Sequence, residues 1–326
     1  MKYTNKSLIR IPAHPIQEVN TKGRQLKALT LPELLAAEFP PREYMLSPWL
    51  LTQSIVMVYS KRGVGKTWFN LEVAYAVATG GMFLGWKASR KFRVLYVDGE
   101  MTGVELQERM RLIVARTKSG ELPPDNLSFF NAGYHALANP DLSSPEGQRM
   151  LEPLIEQADL VIFDNISTLF RGNGKENESG FAAPINHWLL NLKQTRKKTI
   201  ILVHHAGKEG QQRGTSKTED VHDVILCLKA PPSHEVTDGA RFRVVYDKGR
   251  NFSKDFISLS VAIRTEDGWI DWDYSSSKLE ESSSEPEWLP DAIALKSEDK
   301  SYREIGKALG VSHSTLQRHL KPIFED

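Results

Sequence analysis

Cysteine is nearly absent from this chain: Cys227 is the one example in 326 residues. A lone thiol excludes an intrachain disulfide and fits a reducing cytoplasm. Its setting, the apolar run "VILCLK", reads as a strand in which a small core residue is wanted. Long hydrophobic runs are missing too. No stretch approaches the roughly 20 apolar residues of a membrane span. The opening "MKYTNKSLIR" has no apolar run of the kind a secretory signal carries. A cytoplasmic protein without membrane contact is therefore expected. Charge of one sign is not in excess either, since 42 Lys and Arg face 41 Asp and Glu, a formal net charge of +1. Any nucleic-acid surface must then be local. No internal repeat recurs at a fixed period. What is present is 40% hydrophobic residues, enough for a substantial core, in a length that suits one large domain and a small one.

Residues 1–28 are polar and non-periodic and read as a flexible tail. "TLPELLAAEF" reads as a short helix, capped by Thr30, with Pro32 in its first turn and Glu33 closing a capping box. A proline-punctuated connection leads into residues 29–274, read as one large domain. There "SIVMVY", "RVLYVD", "LVIFD" and "TIILVHH" are almost continuous apolar runs, as in strands covered on both faces of a parallel sheet. Helical periodicities such as "FNLEVAYAVATGG" and "GVELQERMRLIVART" lie between them. The alternation predicts an α/β doubly wound fold, a mainly parallel sheet with helices on both faces. "DVILCLK", "RFRVVYDK" and "FISLSVAI" read as further strands at one edge, some of them antiparallel. Residues 275–287 hold six Ser and four Glu in thirteen positions, so 275–288 reads as a linker. A small all-α unit fills 289–326.

The stretch "VYSKRGVGKTWFN" carries the first chemistry. A phosphate-binding loop has the form G-x-x-x-x-G-K-[ST]. Here it reads Ser60, Lys61, Arg62, Gly63, Val64, Gly65, Lys66, Thr67, followed by Trp68, and only the first glycine is missing. The chemistry needs a tight loop whose N–H groups face phosphate oxygens, followed by a helix N-terminus. Serine is small enough for the first position, and Gly63 and Gly65 supply freedom where the backbone crowds phosphate. Lys66 would reach the β- and γ-phosphates of ATP, and the Thr67 hydroxyl would ligate Mg²⁺. Residues 60–68 are thus the candidate nucleotide-binding segment.

An ATPase also needs a carboxylate in the Mg²⁺ shell and a group that positions water. Asp164 ends the strand "DLVIFD", where ligands bind in open α/β sheets. Asp98 and Glu100 follow the strand in "RVLYVDGEM". Glu100 is the favoured water-orienting group, with Asp98 as the second choice; the alternative is that both cap the next helix. "TIILVHHAGK" ends in two histidines, candidates for sensing the γ-phosphate. A zinc site is the competing reading, with no further ligand at usable spacing except His222.

Together, "GVGKTWF", "VLYVDGEM", "DLVIFDNIS", "LVHHAGKEGQQRGTS" and "YDKGRNF" resemble the RecA-like ATPases. The resemblance is strongest to RepA-type hexameric plasmid helicases and related ATPases of phages and mobile elements, over roughly residues 45–260. It implies that Glu100, after the strand next to the P-loop strand, is the catalytic glutamate, that Asp164 is the Walker B aspartate and that His205 is the γ-phosphate sensor. It implies that Lys248 and Arg250, in "DKGRN", enter the ATP site of a neighbouring subunit in a homo-oligomer, a hexamer by resemblance. It also implies that the loops "RGNGKENESG" and "AGKEGQQRGTSK" line a channel for single-stranded DNA. Lys208, Arg213 and Lys217 would contact phosphates there without an aromatic stacking partner; a solvated loop is the alternative. Ser60 departs from the family's usual Gly or Ala.

"SYREIGKALGVSHSTLQRHLK" has helix-turn-helix form. Ser301 and Glu304 make a capping box, Ile305, Ala308 and Leu309 share a face, Gly310 ends the helix and Val311 fills the turn. Ser312 would cap a second helix carrying Leu316 and Leu320, with "PDAIALK" as support. His313, Ser314, Gln317 and Arg318 would meet duplex DNA. Residues 291–326 hold six Lys/Arg and six Asp/Glu, so the unit is not basic overall, and a protein-interaction unit is the alternative. The expected function is a DNA-associated, oligomeric ATP hydrolase, helicase-like, in replication of a plasmid, phage or integrated element. An ATP-controlled DNA-binding regulator or loader, and a filament-forming recombination mediator, are the other readings.

Overall fold

The structure is a computed structural model. It describes residues 28–116, 123–135, 139–172, 179–206, 221–231, 239–249, 257–266, 269–276, 288–298, 300–311 and 313–324. The chain divides into two compact units, Met1–Pro41 and Arg42–Asp326. In the first, helix α1 spans Leu31–Ala36. Thr30 starts it as expected: its N–H donates to the Glu33 carboxylate at 2.8 Å, and the Glu33 N–H donates back to the Thr30 hydroxyl at 3.4 Å. Ala37 turns extended and stops it short of Phe39.

The second unit is built on a nine-stranded sheet in the order β13–β12–β11–β10–β3–β9–β8–β6–β7. Its strands are β3 (Ile55–Ser60), β6 (Val94–Asp98), β7 (Leu127–Asn131), β8 (Leu160–Asp164), β9 (Thr199–His205), β10 (Val224–Lys229), β11 (Arg241–Gly249), β12 (Leu259–Glu266) and β13 (Trp269–Ser276). From β10 to β7 all neighbours are parallel, and β11, β12 and β13 add antiparallel pairs at one edge. This is the mainly parallel α/β arrangement with helices on both faces that the strand–helix alternation predicts. β13 runs through Ser276, and residues 277–287 of the Ser/Glu-rich segment lie outside the described residues. Two hairpins, β1–β2 (Tyr44–Leu46, Leu50–Leu51) and β4–β5 (Met82–Phe83, Trp86–Lys87), were not foreseen.

Strands β3, β6, β8 and β9 are buried on both faces. On β3, Val56 and Val58 enter one core, where helices α2 (Lys66–Thr79) and α3 (Gly103–Arg116) pack. Ile55 enters the other, shared with α4 (Pro145–Gln157), α5 (Ile166–Leu169) and α6 (Ser179–Gln194). The first core holds an aromatic set in which Phe69 of α2 meets Phe83, Trp86 and Phe242 edge-on. Removing a fully buried ring of this kind costs ~3–5 kcal/mol. The helix that begins at the phosphate loop is thereby anchored to the core.

One expectation needs correction. The strand that Glu100 follows, β6, is not beside the phosphate-loop strand: β9 and β8 lie between them. The crossover through α2 skips two sheet positions that later strands fill, an order that apolar periodicity does not encode.

The C-terminal helices are α7 (Leu289–Ser297), α8 (Tyr302–Leu309) and α9 (His313–Phe324). Leu289, Ala292, Ile305, Leu316 and Leu320 form their own core. The Ser301–Glu304 capping box is present, and Gly310 ends α8 with φ 67°. Ser312 lies outside the described residues. Ala308 does not share the inner face: it is exposed, whereas Ile305 is buried and Leu309 half-buried. Gly306 takes the close contact instead, for a Cβ there would meet the Val311 carbonyl oxygen at 2.7 Å.

A candidate nucleotide site at the sheet edge

The loop from Ser60 to Thr67 joins the end of β3 to the start of α2. Gly63 and Gly65 have φ of 79° and 110°, the region glycine favours. Gly65 is constrained twice, because a Cβ there would lie 2.4 Å from the Ala240 Cβ. Ser60 is not among the positive-φ residues, which explains why this position tolerates a side chain. Its hydroxyl donates to the Lys61 carbonyl at 2.8 Å and accepts from the Lys66 ammonium at 3.2 Å. Lys66 also donates to the Ser60 and Lys61 carbonyls at 3.2 and 3.0 Å. Burial pushes the Lys66 ammonium down to about 8, against the pull of Asp164 and Glu100. Val64 is buried, Lys61 and Arg62 are exposed, and the Trp68 ring packs on the core beneath the Arg109 guanidinium at 5.1 Å.

Asp164 ends β8, buried, beside Asp98 in register. The Tyr96 hydroxyl donates to it at 2.6 Å, and the Thr67 hydroxyl also bonds it. Burial pushes the Asp164 carboxyl up to about 6 despite these two bonds, with Asp98 adding to the rise and Lys66 opposing it. A hydroxyl and a carboxylate side by side form an oxygen donor set suited to a hard divalent cation.

The two carboxylates of "VDGEM" separate clearly. Asp98 accepts from the backbone N–H groups of Glu100 and Met101 at 3.3 and 3.2 Å, and from the Asn131 amide at 2.7 Å. It holds the turn. Neither residue caps α3, since Thr102 and Glu105 do that between themselves. Glu100 instead accepts from the Asn165 amide at 2.5 Å and lies 3.9 Å from His205 Nε2. The same Asn165 amide is 3.3 Å from His205 Nε2. Asn165 is buried, follows Asp164 through a cis peptide bond and caps α5. Its bridging position was not anticipated; the "DN" pair at the strand end was the available signal. Gly99 allows the close approach, because a Cβ there would meet the Thr168 hydroxyl at 2.5 Å. His205 is the register partner of Ser60, so the imidazole ends the strand beside the phosphate loop.

Lys248 lies elsewhere. It pairs with Ile225, which pairs with Met57, so it sits level with the middle of β3 rather than with the loop. Arg250, Lys208, Arg213 and Lys217 fall outside the described residues, as do the side chains of Ser314 and Arg318. On α9, His313 and Gln317 are exposed, and the His313 ring meets Tyr302 edge-on at 5.8 Å. No described helix is long and apolar enough to cross a membrane.

A family model described as an AAA domain matches residues 22–211, more than half of the chain. The chain belongs to the AAA domain family. As an AAA domain protein it is a P-loop ATPase, and a helix-turn-helix domain model matches residues 293–321. No curated protein matches it. Among solved structures, this AAA domain protein is similar to the flagellar accessory protein FlaH of Methanocaldococcus jannaschii, with 16% identity and a TM-score of 0.45 over 69% of this chain and 91% of that one. It is similar to the KaiC-like protein PH0186 of Pyrococcus horikoshii, with 16% identity and a TM-score of 0.44 over 70% and 93% of the two chains. It is also similar to the RadB recombinase, with 15% identity and a TM-score of 0.44 over 65% and 89%. Likeness at this distance carries no function from those proteins to this one.

Proposed function

We propose that this ATPase is an oligomeric, DNA-associated motor of the RepA-like helicase kind, serving replication of a plasmid, phage or integrated element. The observation that carries the reading is an asymmetry. Glu100, Asn165 and His205 converge within 3.9 Å at the edge where the phosphate loop lies, whereas Lys248, the penultimate residue of β11, sits level with the middle of β3, away from its own loop. A carboxylate at home with Lys248 displaced supports a site that a neighbouring subunit would complete.

In this mechanism the loop N–H groups and Lys66 hold the phosphates of ATP, the ammonium exchanging loop carbonyls for phosphate oxygens. Thr67 and Asp164 would hold Mg²⁺, which supplies charge neutralisation at the phosphates when bound. Glu100 orients the attacking water and accepts its proton, with Asn165 fixing the carboxylate. His205, in contact with the same amide, reports the state of the γ-phosphate to Glu100. Lys248 and Arg250 of the next subunit face the charge that develops in the transition state, a contribution of order 10³–10⁵ in rate for such cations. The helix-turn-helix brings the motor to a duplex site, and the Lys208, Arg213 and Lys217 loop meets single-stranded DNA.

Mixing tests it. Arg250→Ala subunits and Lys66→Ala subunits, each inactive alone, are expected to recover part of the ATP turnover when combined. The wild-type chain is expected to displace a strand from a forked duplex. Turnover in a closed ring without displacement would instead favour the regulator or loader reading, and a filament on DNA the recombination reading.

A further inference from the structure

Tyr59 immediately precedes Ser60 on β3 and is 6% exposed. Its hydroxyl donates to the Asp247 carboxylate on β11, a strand that does not pair with β3, because β10 lies between. Two strand spacings are about 10 Å. The phenol covers that distance by crossing Cys227, its register partner on β10. Tyr59 clusters there with Met57, Ala206 and Ile225, with Cys227 packed against them. A small side chain at 227 leaves room for the ring, which gives the single cysteine of the chain a steric reason.

Asp247 is placed by a β-bulge. Ile225 pairs with Lys248 and Leu226 pairs with Tyr246, so Asp247 is the extra residue between them. Bulges re-aim the side chains beside them, and the next residue is Lys248. Asp247 is exposed, so core packing does not require it.

We propose that Tyr59 and Asp247 form a latch between the strand that feeds the phosphate loop and the strand that presents Lys248, with Tyr59 as a positioning residue for that lysine. The latch rests on the reading that Lys248 acts on a neighbouring subunit's ATP. The latch strand leaves Lys66, Thr67 and Glu100 untouched, so its loss changes turnover and not nucleotide binding.

The test uses the full-length chain. Tyr59→Phe and Asp247→Ala are expected to lower kcat about tenfold, the scale of one lost hydrogen bond to a charged group, with KM and the affinity for a non-hydrolysable ATP analogue changed less than about twofold. Asp247→Asn still accepts from the tyrosine and is expected to retain about half of the rate or more. Mixing Asp247→Ala with Lys66→Ala subunits is expected to restore turnover as Lys248→Ala with Lys66→Ala does. If Lys248→Ala leaves turnover intact, the neighbouring-site reading falls and the latch with it. If Lys248→Ala is impaired and rescued while Asp247→Ala turns over normally, the latch alone falls. Loss of analogue affinity in Asp247→Ala, unrescued by mixing, also overturns it.

Discussion

At the scale of single residues, Asp98 and Glu100 are the instructive pair. They are two positions apart and chemically alike, but the sheet gives them different partners. Asp98 accepts from two backbone N–H groups and the Asn131 amide, and burial raises its pKa. Glu100 is held by one amide, Asn165, beside His205. Glu100→Gln is therefore expected to bind ATP normally and hydrolyse it about 10²–10⁴-fold more slowly, as loss of a general base does. Asp98→Asn keeps some acceptor capacity but cannot match three donors, and is expected to lower the thermal midpoint while analogue binding and turnover fall together. Steady-state kinetics with equilibrium analogue binding separate the two; equal kinetic signatures would reverse the assignment. That the phosphate loop, Asp164 and Glu100 lie at one edge of the sheet was legible because each stands at or just after the end of a strand-length apolar run. Asn165 was not, because its contact with Glu100 joins residues 65 positions apart on strands whose adjacency periodicity does not reveal.

At the scale of elements, the phosphate-loop helix is anchored by a buried charge. Glu72 of α2 is 1% exposed, paired with Arg116 of α3 at 2.6 Å and bonded by the Trp272 indole N–H of β13 at 2.8 Å. Three elements distant in sequence meet on one carboxylate. Burial is the largest influence on Glu72 and raises its pKa, with Arg116 and Trp272 opposing. Arg116→Ala removes the compensating charge and is expected to cost ~3–5 kcal/mol, while a Glu72→Gln, Arg116→Met pair costs much less. The sign of the pH dependence follows. With its folded pKa raised, Glu72 binds more protons folded than unfolded above the unfolded value, so stability falls as pH rises through the folded pKa. Arg116→Ala should steepen that fall, and urea titrations across the carboxylate range and above it measure it. A flat profile would show that the carboxylate is solvated. The inner strands β3, β6, β8 and β9, the helices α2 and α3 and the capped helices α1 and α8 were legible from apolar runs, helical periodicity and capping boxes. The sheet order was not, nor was the close approach of Gly306 to Val311 in place of packing by Ala308, since both depend on which elements meet rather than on the period within one.

At the scale of the whole molecule, the question is what the helix-turn-helix adds. Its core of Leu289, Ala292, Ile305, Leu316 and Leu320 shares no residue with the cores of the sheet, and a Ser/Glu-rich segment separates the two in sequence. A chain ending at Ser276 therefore keeps β13, Trp272 and the Glu72 contact intact. It is expected to turn over ATP within about twofold of the full chain, since truncation removes no group at the nucleotide edge. Duplex binding should behave differently. With six Lys/Arg balanced by six Asp/Glu over 291–326, the unit has no bulk electrostatic attraction to DNA, so its affinity must come from α9, where His313 and Gln317 are exposed. Duplex affinity is then expected to fall at least about tenfold on truncation, and the full chain's salt slope to correspond to few phosphate contacts, roughly −0.9 per contact. Gln317→Ala in the full chain should reduce discrimination between duplex sequences more than it reduces overall affinity, because a side chain reading base edges loses ~1–3 kcal/mol of preference when removed. Anisotropy titrations of duplexes against both chains decide it. If truncation leaves duplex binding unchanged, the helical unit meets protein rather than DNA, and the duplex contacts belong to the ATPase domain.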